Sequence, residues 1–127
     1  MGKKLSSRQQ AQLLFLEGMV AKMARLYAGI EQMSAMQIDD VGIRGLARML
    51  DELKVNAQSI GLTAVADVAG AMGVLIRRGG SQQTRARGLR ELYATLKMNY
   101  DAAMKAATTP ELGGDSPAGT AGGSAGS

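Results

Sequence analysis

The residues best placed to do chemistry in this chain lie in one segment, Leu50 to Leu62, with the sequence LDELKVNAQSIGL. The chain contains neither histidine nor cysteine, so carboxylates, hydroxyls and amines are its remaining reactive groups. Asp51, Lys54 and Gln58 are spaced at i, i+3 and i+7, which places them on one face of a helix. A helix here would therefore present a carboxylate and an ammonium group to the same partner.

The same segment resembles the central helix of the histidine phosphotransfer (HPt) family, whose four-helix domains relay phosphate in two-component signalling. The family signature runs His-x-Leu-Lys-Gly-x-Ala and continues, a few residues later, with Gly-Ala or Gly-Leu. Leu53, Lys54, Ala57, Gly61 and Leu62 match it. The following stretch, VADVAGAMGVLIRRG, also comes in the family's usual order.

Two signature positions of the HPt family differ in this chain. Asp51 stands where the family has its phosphate-carrying histidine, and Val55 stands where a glycine lets a receiver domain approach closely. The resemblance implies a bundle that keeps the fold and the docking surface, with Lys54 as the retained electrostatic element. It implies a degenerate member of the family, because the phosphorylatable nitrogen is gone.

The surroundings of Asp51 argue against phosphate transfer through its carboxylate. Receiver domains phosphorylate an aspartate inside an acidic pocket that binds Mg²⁺. The expected neighbours of Asp51 are Arg48, Lys54 and Gln58, while Glu52 points about 100° away around the helix. No cluster of carboxylates has metal-ligand spacing here. We therefore expect no enzymatic activity, no metal and no other cofactor.

Apolar spacing predicts an all-α fold of four helices, with no run that alternates as a strand does. The scarcity of aromatic residues, 3% of the chain, also favours helices over a β-sandwich. Short connections favour antiparallel neighbours and hence an up-down-up-down bundle over residues 1–107. The predicted helices cover residues 7–36, 40–60, 63–78 and 81–106.

The helix boundaries follow from capping residues. Ser6 or Ser7 is expected to cap the first helix, and Asp39 or Asp40 the second. Thr63 is the candidate cap of the third helix. Gly61 is expected to close the second helix in the left-handed conformation.

The first helix carries two neighbouring apolar strips. The strip expected to face the core comprises Leu13, Leu16, Val20, Met23, Tyr27 and Ile30. The second strip comprises Phe15, Met19, Leu26 and Met33. The second strip is either a homodimerisation face or a deeper part of the chain's own bundle.

The leading functional hypothesis is a non-catalytic, HPt-like interaction module of bacterial signalling. Its expected partner is a response-regulator receiver domain or a sensor kinase module. The predicted partner-binding residues are Arg44, Arg48, Asp51, Lys54, Val55, Gln58, Arg77 and Arg78. One alternative is a structural or assembly protein that dimerises through its first helix. Another is a weak nucleic-acid binder that uses the arginines between Arg77 and Arg90.

The overall composition bounds the compartment and the charge. The chain has a formal net charge of +4, which suits an acidic protein partner but does not require nucleic acid. The absence of cysteine excludes disulfides and makes the cytoplasm the expected compartment. No apolar run reaches the roughly 18 residues of a membrane span. Residues 108–127 are rich in glycine and serine, and we expect a disordered tail there.

Overall fold

The computed structural model describes residues 4–110, and the regular secondary structure in that range is entirely helical. The helices are α1 (Ser7–Ser34), α2 (Asp40–Ser59), α3 (Thr63–Ile76) and α4 (Gln82–Thr108). The predicted all-α class with four helices is thus confirmed, and each boundary lies within about two residues of its prediction. None of these four helices is long and apolar enough to cross a membrane.

Three helices begin at side-chain caps. The Oγ of Ser6 accepts the backbone N–H of Gln9 at 3.0 Å, while the Oε1 of Gln9 accepts the N–H of Ser6 at 2.9 Å. This reciprocal capping box satisfies two backbone donors at the start of α1. Asp39 caps α2 by accepting the N–H of Gly42 at 2.8 Å, and Ser81 caps α4 in the same way. The predicted caps of α1 and α2 are confirmed.

Three other helix ends are determined by other features. Thr63 does not cap α3, because Leu62 occupies the N-cap position and offers no side-chain acceptor. Leu62 is buried, so apolar packing replaces the cap. Gly61 has a φ of 81° and turns the chain after α2, as predicted. α1 ends earlier than predicted because Met36 adopts the left-handed φ of 58°, which does not continue a right-handed helix.

The core lies between all four helices. α1 packs most extensively against α4, and α2 against α3; α3 also packs against α4, and α1 contacts α2 less extensively. The largest fully buried side chains are Leu16, Met19, Leu26, Ile30, Met33, Leu50, Leu53, Val65, Met72, Ile76, Leu89 and Leu96. Every helix contributes to this aliphatic core, so the described residues fold around one shared interior.

The prediction for the inward face of α1 is partly wrong. Leu16, Met23 and Ile30 are buried as expected, but Val20 is 55% exposed and Tyr27 is 49% exposed. The buried stripe of α1 instead takes members from both apolar strips and repeats at alternating steps of three and four residues. This spacing is the stripe expected when one helix face packs against neighbouring helices.

Of the two alternatives for the second apolar strip of α1, the structure agrees with burial in the chain's own bundle and not with an exposed dimer face. Met19 and Leu26 are each 1% exposed and Met33 is 0% exposed, while Phe15 is partly buried against the same core. These side chains already pack inside the chain's own bundle. They cannot serve as an exposed homodimerisation face unless α1 leaves the core.

The folded part extends past the predicted boundary at residue 107. Thr108 is the last residue of α4, and the carbonyl of Thr109 accepts a hydrogen bond from the side chain of Gln9 at 2.7 Å. The described bundle therefore reaches at least residue 109. The rest of the predicted disordered tail, residues 111–127, lies outside the described residues, as do residues 1–3.

Two glycines of α1 have opposite surroundings. A methyl group at Gly18 would meet no other group within 4 Å, whereas one at Gly29 would collide with the buried Leu46 side chain of α2. Gly18→Ala is expected to raise the free energy of unfolding by about 0.5–1 kcal/mol, because alanine is the better helix former. At Gly29 the same gain is opposed by overpacking that costs about 1–3 kcal/mol.

Urea denaturation of the two alanine variants measures this difference. The Gly18→Ala variant is expected to be the more stable by about 1–3 kcal/mol. Equal stability would show that Leu46 can move aside without loss, and that Gly29 is not needed for the contact between α1 and α2.

Candidate functional site

The exposed face of α2 contains the residues that the sequence singles out. Asp51, Lys54, Val55 and Gln58 are all exposed. The neighbouring positions Leu50, Leu53 and Ala57 are 0%, 2% and 0% exposed, so they form the opposite, buried face. We call the exposed residues Asp51, Lys54, Val55 and Gln58 the α2 strip. The helical spacing thus separated the core positions of this segment from its accessible ones.

Arg44 and Arg48, the basic residues predicted to extend the binding surface on α2, are only partly continuous with the α2 strip. Arg48 and Arg44 are exposed about one and two turns before Asp51. Ala47, which lies between them in the sequence, is only 5% exposed and belongs to the core. Within residues 4–110, neither Arg44 nor Arg48 forms an ion pair with a carboxylate. Both guanidinium groups are therefore free to meet an anionic partner.

Asp51 forms an ion pair with Arg77, at the end of α3. The Nη1 of Arg77 donates to Oδ1 of Asp51 at 3.1 Å and its Nη2 donates to Oδ2, which makes the pair bidentate. Nη1 also donates to the carbonyl of Gly73 at 3.3 Å. The hydrogen bonds that Arg77 donates to the Asp51 carboxylate raise the pKa of Arg77. The sequence placed Arg48 and Lys54 beside Asp51, but the ion pair of Asp51 is with Arg77.

The Asp51–Arg77 ion pair orients the Asp51 carboxylate but adds little to the stability of the fold. The side chains of Arg77 and Asp51 are 51% and 55% exposed, so water screens their attraction. Exposed pairs of this kind typically stabilise a fold by no more than about 1 kcal/mol. The bidentate geometry nevertheless holds the carboxylate in one orientation and neutralises its charge.

Two glycines of α3 bring the α2 strip close to that helix. A methyl group at Gly70 would lie 3.3 Å from the Cδ of Lys54, and one at Gly73 would lie 3.6 Å from Oδ1 of Asp51. The alkyl chain of Lys54 and the carboxylate of Asp51 therefore lie over positions that carry no side chain. The strip follows the seam between α2 and α3, which the spacing within α2 alone did not indicate.

An open cleft adjoins the strip, between α2 and the corner where α3 passes to α4. It has a volume of 430 Å³. We call it the arginine cleft, and its lining residues are Ile43, Arg44, Ala47, Arg48, Asp51, Ile76, Arg77 and Arg85. The sequence grouped Arg85 with other arginines but did not place it beside Arg48. Only the fold joins these residues.

Two of the arginines between Arg77 and Arg90 form ion pairs with carboxylates. Arg90 makes a bidentate ion pair with Glu31 of α1 at 2.9–3.1 Å, and Arg77 is held by Asp51. Arg85 lies in the arginine cleft. Two of the cations proposed for nucleic-acid binding are thus paired with carboxylates. This pairing lowers the net positive charge around the segment from Arg77 to Arg90.

The described residues also bear on metal binding. Between residues 4 and 110, no group of three or more carboxylate side chains is close enough to hold a metal ion. The immediate neighbour of Asp51 is a guanidinium group rather than a second carboxylate. The surroundings of Asp51 in this range therefore differ from an acidic Mg²⁺ site.

Comparison of the chain with protein-family models, with curated proteins and with solved structures found no match. The resemblance to the HPt family therefore rests on the residues of the segment from Leu50 to Leu62 and on the stretch that follows it.

Proposed function

We propose that this chain is a non-catalytic, HPt-like interaction module that acts in bacterial signalling, in the cytoplasm. Its partner is a response-regulator receiver domain or a sensor kinase module, and it binds that partner without phosphate transfer. The observation that carries the proposal is the exposed Asp51, midway along α2 and held by Arg77, at the position of the family's histidine.

An up-down-up-down arrangement like that of the HPt family is part of the proposal. Several hydrogen bonds that join opposite ends of neighbouring helices support it. Gln12, near the start of α1, donates to the carbonyl of Ile60, just after α2, at 2.8 Å. Asn99, in the second half of α4, donates to the carbonyl of Ala64, at the start of α3, at 3.3 Å. Antiparallel neighbours bring such ends together.

The absence of phosphate transfer follows from the chemistry around Asp51. Its carboxylate is already engaged by the guanidinium of Arg77 through two hydrogen bonds. A phosphoryl donor would have to displace that partner from an oxygen that lacks the nucleophilicity of an imidazole nitrogen. In our proposal the pair serves instead as a fixed element that a partner recognises.

The mixed chemistry of the α2 strip supports a protein partner. Val55 is 61% exposed and offers an apolar contact beside the ammonium group of Lys54 and the amide of Gln58. Arg44 and Arg48, two to three turns before Val55 on α2, and the exposed Arg78, next to Arg77, form a basic rim toward one end of the strip. Receiver domains are commonly acidic around their phosphorylation pocket, so such a rim would speed their association and orient them.

A charge reversal on the α2 strip tests the proposal. The variant Asp51→Lys with Lys54→Asp keeps the net charge but reverses both charges that face the partner. Titration against a panel of receiver domains and kinase modules is expected to find a partner for the wild type. The double variant should bind that partner at least about tenfold more weakly, because it presents like charges across the interface.

A matched control exists on α4. Lys97 and Asp101 form an exposed ion pair at 3.4 Å with the i, i+4 spacing, away from the α2 strip. Reversing both of these charges should leave affinity for the partner unchanged. If the α2 double variant and the wild type bound the partner with equal affinity, the α2 strip would not be the binding surface. Recovery of a stably phosphorylated chain after incubation with a phosphorylated receiver would overturn the claim that it does not transfer phosphate.

A further inference from the structure

The arginine cleft has the chemistry of a small-ligand site, and it adjoins the proposed contact of α2 with a protein partner. It is concave, and its volume of 430 Å³ lies within the range of roughly 300–1,000 Å³ typical of small-molecule sites. Arg44, Arg48, Arg77 and Arg85 contribute cations to its lining, against the single carboxylate of Asp51. From this lining we infer that the cleft binds a small phosphorylated molecule.

The type of cation favours a phosphoryl group. A guanidinium is planar and presents its N–H donors in a fork that matches two phosphate oxygens at once. Arg44 and Arg48 are one helical turn apart on α2, so their side chains lie on the same face. Within residues 4–110, neither forms an ion pair with a carboxylate. These two side chains can therefore close on one anion.

The other two arginines are already held in place. Nη1 of Arg85 donates to the carbonyl of Ile76, the last residue of α3, at 2.9 Å. Its Nε is buried and has no hydrogen-bond partner among the described residues. Arg77 is held by Asp51 and by the carbonyl of Gly73. Side chains that are ordered before binding lose less conformational entropy when a ligand arrives.

The apolar part of the lining suggests what the phosphoryl group is attached to. Ile43 provides partly exposed hydrocarbon surface between the arginines, whereas Ala47 and Ile76 line the cleft as buried core residues. A bare anion would leave this surface wet, whereas an organic phosphate would cover it and gain from its burial. No aromatic side chain lines the cleft, so it lacks the stacking platforms with which proteins bind single-stranded nucleic acid.

Phenyl phosphate and inorganic phosphate are suitable probes. We expect both to give saturable shifts of arginine side-chain and backbone signals in NMR titrations of the full chain. Phenyl phosphate should bind several-fold more tightly, because its ring covers the apolar lining. Arg48→Gln and Arg85→Gln should each weaken phenyl phosphate binding at least about fivefold, since each removes a charge-assisted hydrogen bond.

Arg87→Gln is the matched control. Arg87 is exposed on α4, two residues from Arg85, and does not line the cleft. The substitution removes the same unit of charge, so a change of less than about twofold is expected. If Arg87→Gln and Arg48→Gln weakened binding equally, the loss of affinity would come from the change in net charge and not from contacts in the cleft. That result would overturn the proposed phosphate site. Shifts that do not saturate at millimolar phenyl phosphate would overturn it as well.

This test is independent of the proposed protein partner. Arg85 lies outside the surface assigned to that partner, so Arg85→Gln should weaken phenyl phosphate binding while leaving partner binding in place. Arg48→Gln keeps the inference testable if Arg85→Gln perturbs the fold, because the exposed Arg48 makes no ion pair within residues 4–110. If the wild type bound phenyl phosphate but none of the receiver domains or kinase modules, only the proposed function would be overturned.

Discussion

Replacing Leu50 with alanine is expected to lower the free energy of unfolding by about 2–5 kcal/mol. Leu50 is 0% exposed, and its side chain lies on the inner side of α2, next to Gly73 of α3. Truncation removes buried hydrocarbon and leaves a cavity that the surrounding helices fill only partly. Urea denaturation followed by circular dichroism measures the loss.

Val55→Ala is the control for this prediction, on the same helix. Val55 is 61% exposed, so its truncation should change stability by less than about 0.5 kcal/mol. The two results together identify which face of α2 is the core. Similar losses at both positions would mean that α2 is oriented differently and that Asp51 does not face solvent.

Replacing Gln9 with glutamate is expected to cost about 3 kcal/mol of folding free energy. Gln9 is 5% exposed, and its amide Nε2 donates to the carbonyls of Ala106 and Thr109 at 3.0 Å and 2.7 Å. A carboxylate has nearly the same shape but no such donors, so two carbonyl oxygens would face a negative oxygen. The start of α1 should detach from the end of α4.

Gln10→Glu is the matched substitution beside it. Gln10 is exposed, and its amide donates to a single carbonyl, that of Leu5, at 3.1 Å. It also lies in the first turn of α1, where a negative charge is favourable. Stability should therefore change little. Amide hydrogen exchange should become faster at the end of α4 only in the Gln9 variant. Unchanged exchange there would contradict the claim that Gln9 holds the end of α4 against α1.

Local rules explain why much of the fold could be predicted. Serine or aspartate before an apolar periodic run satisfies free backbone donors, and Ser6 and Asp39 act in this way. Gly61 takes the left-handed conformation that ends α2. Such signals depend on neighbours within a few residues, so they can be read without knowing the rest of the fold.

The α2 face of the candidate site was predictable for the same reason. A period of 3.6 residues separates Leu50 and Leu53, which are buried, from Asp51 and Lys54, which are exposed. The inner face of α1 was harder, because apolar residues cover two adjoining strips of that helix. Only packing against α4 and α2 decides that Met19 is buried while Val20 faces outward.

The sequence by itself determined the helical class, most of the helix boundaries and the exposed face of α2, because caps and helical periodicity act over a few residues. The tertiary structure decided which partner holds Asp51 and which arginines share a cleft. Arg77 lies 26 residues from Asp51, and Arg85 lies beyond the turn into α4. Contacts over such separations depend on how the helices pack, and no local pattern in the chain encodes that choice of neighbour.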